Sequence, residues 1–168
     1  MSVKLQWREP DLLDILYLVQ NCRQQDAEDF LAETTETDMS QIAMQTFNRP
    51  GLKVLGVDEK GRPRAMVSLW IVTPSCLLSS LSAVKDVSVK ELVRVREKCR
   101  ELVKATFEHQ KNINRIEGMT NATRGGAINF LKSCHLKFES TRKAWGTGGK
   151  DFHLFAITRS EWDALDTQ

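Results

Sequence analysis

Net charge is nearly missing from this sequence: 24 Lys and Arg stand against 22 Asp and Glu, a formal net charge of +2. That balance gives no electrostatic argument for nucleic acid or an anionic membrane surface as the main partner. Cysteine is sparse and scattered. Cys22, Cys76, Cys99 and Cys134 form no CxxC pair and no Cys/His cluster, which argues against a disulfide framework or a zinc site and predicts four reduced thiols. Long hydrophobic runs are absent too, each being broken by Ser, Arg or Lys well before the roughly 20 residues a membrane helix needs. The opening MSVKLQWREP has no apolar core of the kind a signal peptide requires, so secretion by that route is not expected. Neither an internal repeat nor a low-complexity tract is visible.

What is present is ordinary for a soluble domain. The 168 residues are 41% hydrophobic and 27% charged, enough to bury one core in a single domain over 1–168. Val3, Leu5 and Trp7 alternate with Lys4, Gln6 and Arg8 as an opening strand. Pro10-Asp11 starts a helix that buries Leu12, Leu13, Ile15, Leu16 and Val19. A second short helix is predicted over 24–33, with Ala27, Phe30 and Leu31 inward. Asp38 or Ser40 caps a third through Ile42, Met44 and Phe47. Strands follow over 52–57, 64–72 and 76–84, the first two joined by the turn Glu59-Lys60-Gly61-Arg62.

The strongest helical pattern runs from Val87 to Gln110. Val89, Leu92, Val93, Cys99, Leu102, Val103, Thr106 and Phe107 mark its buried face. Lys90, Glu91, Arg94, Glu97, Lys98, Glu101 and Lys104 are expected to solvate the rest, with Glu97 and Glu101, or Glu101 and Lys104, as the surface pair. This predicts a helix packed on a sheet rather than one that binds nucleic acid. Near the end of the chain, Gly146 to Gly149 makes a turn, 152–158 a last strand, and Ser160 to Asp163 a final short turn. His109 and His135 are expected at helix ends, where a partial positive charge is favourable. His153 is expected on the outer face of the last strand. Trp145 reads either as an exposed anchor or as a packed strand-end aromatic.

The organising stretch is Ile113 to Phe138: a strand with Ile113, Ile116 and Met119, a loop through Asn121, Thr123, Gly125 and Gly126, then a helix with Ala127, Ile128, Phe130, Leu131 and Cys134. Thr123 is the expected cap, and Leu136 and Phe138 open another half-buried strand. With Ala127-Ile128-Asn129-Phe130-Leu131, and Cys134-His135-Leu136 where Leu-Gly-Phe is usual, this half resembles the GNAT acyltransferase fold. The ending Asp151 to Ile157 looks like the closing strand of a GNAT-like group from short-tailed phages that includes internal virion (core) proteins. The resemblance implies an α/β (α+β) fold with a central, mostly antiparallel twisted sheet and helices on both faces.

In such enzymes the pyrophosphate of acetyl-CoA rests on backbone N–H groups where the long helix begins, in a motif of Arg or Gln, two residues, Gly, one residue, then Gly or Ala. The matching segment here, Ala83 to Lys90, has no glycine and carries Asp86. Its candidate cofactor contacts are Lys85, Val87, Val89 and Lys90, joined by Asn121 and Arg124 from the later loop, where Thr123-Arg124-Gly125-Gly126 reads first as a turn. The tyrosine that serves as general acid in many relatives is replaced by Leu131, and the sole tyrosine is Tyr17. Glu117 is the one candidate general base, and an exposed strand residue is the preferred reading of it. Adjacent Cys134 and His135 do not make a nucleophilic pair.

The resemblance therefore implies a noncatalytic phage protein of the virion-associated, internal or core type. Its partners would be other virion proteins or a host protein, it would reside in the virion or host cytoplasm, and it would need no cofactor or metal. Two alternatives stand beside this reading: an acetyl-CoA-dependent N-acetyltransferase acting on a protein or small amine, and a phage effector that binds a host protein.

Overall fold

The computed structural model describes residues 4–24, 26–28, 36–146 and 148–165. Its elements are β1 (Gln6–Arg8), α1 (Leu12–Asn21), α2 (Met39–Asn48), β2 (Gly51–Val57), β3 (Pro63–Thr73), β4 (Cys76–Ala83) and α3 (Val89–His109). Then come β5 (Arg115–Asn121), α4 (Gly125–Ser133), β6 (Lys137–Gly146), β7 (Lys150–Thr158) and α5 (Arg159–Leu165). The strands form one seven-stranded sheet in the order β1-β2-β3-β4-β5-β7-β6. Among the pairs β1–β2, β4–β5, β5–β7 and β6–β7, only β4–β5 is parallel, with Cys76 opposite Arg115 and Ser79 opposite Gly118. A parallel pair needs a crossover, which the chain makes through α3. The result is the mixed α/β, mostly antiparallel sheet expected from the sequence.

Two compact units divide the chain, residues 1–69 with 80–95 and residues 70–79 with 96–168. In the first unit, α1 begins at a reciprocal cap. The Asp14 N–H donates to Asp11 Oδ1 at 2.8 Å and the Asp11 N–H donates to Asp14 Oδ2 at 3.0 Å. Two orphan donors of the first turn are thereby satisfied. Arg8 then donates to Asp14 Oδ1 at 2.7 Å, so an acid that is 7% exposed is not left unpaired. Asp38 caps α2 by accepting from the Ser40 N–H at 2.8 Å. The core these helices close holds Ile15, Leu18, Val19, Ile42, Ala43, Leu55, Val57, Met66 and Val84. Each large side chain there contributes roughly 1.5–3 kcal/mol by leaving water.

In the second unit, β5 is flanked by the start of β4 and by β7. The C-terminus of α3 is closed by Arg159, which donates to the carbonyls of Phe107, Gln110 (2.8 Å) and Ile113 (2.6 Å). Its guanidinium also lies 5.2 Å over the Phe107 ring, and Trp162 of α5 packs against the same ring at 6.1 Å. One cation thus satisfies several carbonyls that a helix end leaves open.

Several expectations change. In the first turns of α3 Val89 is 77% exposed, whereas Glu91 is 6% exposed and Val95 fully buried; further along, Val103, Thr106 and Phe107 are buried as the sequence suggests. Glu101 pairs with Lys98 at 2.9 Å, and Lys104 reaches Glu108 instead. Thr123 does not cap α4. The residue at that position is Arg124, without a side-chain cap, and the Thr123 hydroxyl donates to Asn121 Oδ1. Phe138 is 51% exposed.

His153 is half-buried, bonded to Thr141 at 3.0 Å and edge-on to Phe138 at 5.1 Å. Trp145 packs on Phe152 at 5.3 Å, which decides between its two readings in favour of packing. The four cysteines are free thiols. The expected strand from Val3 and helix over 24–33 fall partly outside the described residues.

Candidate functional site

The candidate site is the start of α3 with the loop before it. Three of the loop's backbone donors are already in use. The Lys85 N–H donates to Asn21 O at 2.9 Å, the Val87 N–H to Val84 O at 3.1 Å, and the Ser88 N–H to Glu91 Oε2 at 2.7 Å. The Ser88 hydroxyl also donates to Glu91 Oε2 at 2.7 Å, and Glu91 N–H returns to Ser88 Oγ at 3.2 Å. This is a capping box: the carboxylate of Glu91 takes the place at the helix N-terminus that an external anion takes elsewhere.

Arg64, on β3, locks the arrangement. It donates to Glu91 Oε1 at 2.7 Å, to Asp86 Oδ1 at 3.0 Å and to the Asp86 carbonyl at 3.0 Å. Its side chain is 11% exposed and that of Glu91 is 8% exposed. Burial pushes the Glu91 carboxyl up, but Arg64 and the two Ser88 donors outweigh it and hold the acid below its ordinary range. The hydrogen bond to Glu91, against the cost of burial, keeps Arg64 firmly charged. Two carboxylates share this one guanidinium, and the Lys85 and Lys90 side chains stand exposed in the same segment.

The loop is also tied down from behind. Cys22 and Val84 form a β-bridge, Arg23 N–H donates to Ala83 O at 3.1 Å, and Val87 packs against the core of the first unit. Asp26, itself 3% exposed, accepts from Ala83 N–H at 3.2 Å. Lys85, Val89 and Lys90 are exposed. The structure therefore brings Lys85 and Val87 into the loop through their backbone and leaves the lysine charges at the surface.

The residues named in the second unit are arranged separately. Asn121 is 6% exposed, and its carboxamide oxygen accepts from Thr123 N–H and Oγ1, both at 2.9 Å. It shapes the turn that Arg124 follows. Glu117 is held by Arg115 at 2.7 Å, with 17% of its side chain exposed, so it is half-buried rather than exposed as expected. Arg115 also grips Glu139, and that hydrogen bond holds the Glu139 acid below its ordinary range. Leu131 projects onto β5: a Cβ added to Gly118 would lie 2.8 Å from Leu131 Cδ2. His135 is pushed down by burial first and by Arg100 second, so its helix-end position does not favour the cation as expected.

Glu91 and Arg64 escaped the sequence reading. The Ser88-Val89-Lys90-Glu91 pattern is the S-x-x-E signature of a capping box and was available. Arg64 lies 27 residues from Glu91, and no local signal joins them. Among the described residues no group of three or more His, Cys, Asp or Glu could hold a metal ion. None of their helices is long and apolar enough to cross a membrane.

A likeness to solved structures covers nearly the whole chain. A point variant of the spermidine N-acetyltransferase of Vibrio cholerae superposes with a TM-score of 0.75 at 12% identity, covering 96% of this chain and 98% of that one. The fold is that of the GNAT acetyltransferases. A GNAT-family acetyltransferase from Bacillus anthracis gives a TM-score of 0.70 at 12% identity over 96% and 100% of the two chains. The ribosomal-protein-S5-alanine acetyltransferase of Vibrio fischeri gives 0.69 at 14% identity over 94% of each. No protein-family model matches the chain, and no curated protein does.

The acetyl-CoA that this fold holds in its enzymes does not fit the residues at the start of α3. A phosphate needs open backbone donors and a positive field. Here Lys85, Val87 and Ser88 N–H are spent within the protein, and the Asp86 and Glu91 carboxylates stand beside them.

Proposed function

We propose that this chain is a noncatalytic GNAT-fold protein that acts by binding other proteins, as a virion-associated module of the internal or core type. The observation that carries the noncatalytic reading is the Arg64–Asp86–Glu91 cluster, in which the protein's own carboxylate caps the helix where acetyl-CoA phosphates bind in GNAT enzymes. Leu131 in place of a tyrosine, turned onto Gly118, supports the same reading. So does the pairing of Glu117 with Arg115, which engages the one candidate base. The virion assignment rests on the resemblance of the Asp151 to Ile157 ending to the closing strand of the phage group.

A second reading is a CoA-dependent N-acetyltransferase. It is favoured by the near-complete coverage of acetyltransferase structures, among them the Vibrio cholerae spermidine enzyme solved with CoA and spermine, at a TM-score of 0.70 and 11% identity. Positioning alone supplies much of the rate in acyl transfer, so a missing acid does not abolish it.

Titration with acetyl-CoA, followed by calorimetry and thermal melting, separates the two. A ligand at about 100 times its dissociation constant adds about 2.7 kcal/mol of stability. No heat and no melting shift at millimolar acetyl-CoA is the expected result, and saturable binding overturns the noncatalytic reading. For the virion assignment, peptides of this chain are expected in purified, nuclease-treated particles. Their absence there, with the protein present in the infected cell, defeats it.

A further inference from the structure

Two of the four cysteines stand together. Cys99 lies midway along α3, and Cys134 is the residue that ends α4. Arg100 brings these elements to one point. Its Nε donates to the Ser133 carbonyl at 2.8 Å, and a second guanidinium nitrogen donates to the same oxygen. Cys99 and Cys134 each adjoin one end of that clamp, and their thiols are hydrogen-bonded to each other. The Cys134 backbone is fixed as well, its N–H donating to Phe130 O at 3.1 Å and to Leu131 O at 3.0 Å.

The surroundings of the pair are cationic. Arg96 Nε is buried with no hydrogen-bond partner, so a guanidinium nitrogen has left water without the acceptor it needs. Both Arg100 and Arg96 act on Cys134, and an anionic sulfur there supplies the missing charge. The hydrogen bond from Cys99, with Arg100, Ser133 and Arg96, outweighs burial and holds the Cys134 thiol below its ordinary range. The same hydrogen bond, then burial, pushes Cys99 up. Cys134 is thus the more acidic thiol and Cys99 the proton donor. Cys134 is 3% exposed and Cys99 half-buried, so a reagent meets the pair from the Cys99 side and has to be small.

We propose that Cys99 and Cys134 are a redox pair that a hydroperoxide oxidises to a disulfide, cross-linking α3 to the end of α4. The Cys134 sulfur attacks one peroxide oxygen and the O–O bond breaks. Cys134 becomes a sulfenic acid, and the other oxygen leaves as water or an alcohol, taking the Cys134 proton. The Cys99 sulfur then displaces the sulfenic hydroxyl, which departs as water with the Cys99 proton. The two thiols lose two electrons and two protons in all, and the hydroperoxide gains them. Both cysteines belong to the second compact unit, and the proposal rests on neither reading of the function.

The test treats the full chain with hydrogen peroxide in small molar excess, blocks the remaining thiols with N-ethylmaleimide in denaturant, and maps the peptides by mass spectrometry. The first product is expected to be a Cys99–Cys134 link with a mass loss of two hydrogens, reversed by dithiothreitol, while Cys22 and Cys76 still take the blocking group. Cys99→Ser should leave Cys134 as a sulfenic acid that dimedone captures, and Cys134→Ser should leave Cys99 unoxidised at the same dose. Melts close to that of the wild type confirm that the variants are folded. The wild-type map needs no variant, so it decides the link by itself. Oxidation of Cys22 or Cys76 before the pair, a link that includes either of them, or over-oxidation of Cys134 without a link overturns the proposal. Dimedone on Cys99 in place of Cys134 overturns the assigned roles.

Discussion

The Arg64 guanidinium on β3 meets the Glu91 carboxylate in the first turn of α3 at 2.7 Å, with both side chains nearly buried. Removing one partner strands the other's charge. Breaking a buried pair costs about 3–5 kcal/mol, and Asp86 still holds Arg64 if Glu91 is lost. Glu91→Ala is therefore expected to lower unfolding stability by about 2–3 kcal/mol, read from urea denaturation. Arg64→Met with Glu91→Leu should cost less than the two single changes together by more than about 1 kcal/mol. Simple additivity in that cycle would show the pair to be uncoupled.

Gly118 leaves the room that Leu131 fills. A Cβ there would stand 2.8 Å from Leu131 Cδ2, 3.0 Å from Ser79 Oγ and 3.2 Å from Leu136 Cδ2. Gly118→Ala is expected to destabilise by about 1–3 kcal/mol through overpacking. Pairing it with Leu131→Ala should recover part of that loss, since the nearest obstacle is gone. Thermal melts of the three variants decide it, and a double variant as unstable as the sum of the singles would mean that Leu131 is not the obstacle.

Those two relationships show what the sequence could and could not disclose. The helix start at Pro10-Asp11 and a cap at Asp38 or Ser40 were legible because such signals are local, and the strands were legible because alternation is local. The boundaries of α3 also came within two residues of Val89–His109. The inward face of its first turns did not. Val89 reads as apolar and therefore inward, yet it stands exposed, while Glu91 is drawn inward by an arginine 27 positions earlier. A hydrophobic period cannot report a buried ion pair whose partner lies on another element. Likewise the glycine in Glu117-Gly118 reads as an interruption of the strand. Its reason, the approach of Leu131, is visible only in three dimensions.

His135 offers a backbone test. At φ 68° it sits where glycine carries no steric penalty. His135→Gly is expected to be about 1 kcal/mol more stable than His135→Ala in urea unfolding. Equal or reversed stabilities would place residue 135 outside the left-handed region in solution.

Acid should weaken the protein through carboxyls that the fold keeps ionised. Glu161 is held down to about 2, first by the Thr158 N–H, then by Lys137 and the Thr158 hydroxyl. Glu91 is lowered as well, by Arg64 and Ser88 against the opposing effect of burial. An acid with a depressed folded pKa contributes stability above its unfolded value, and the contribution is lost as pH falls toward the folded one, because the unfolded chain takes up the proton first. For Glu161 that window runs from its ordinary value of 4.5 down to about 2. The urea midpoint is thus expected to fall steadily between pH 5 and about pH 2.5. His135, pushed down by burial and Arg100, adds an earlier decline beginning near its ordinary 6.5, since the folded imidazole resists a proton that the unfolded one accepts. Glu161→Gln should flatten the lower part of the profile, and His135→Gly the upper part. A wild-type midpoint that holds constant from pH 7 to 3 would show that neither group is shifted by folding.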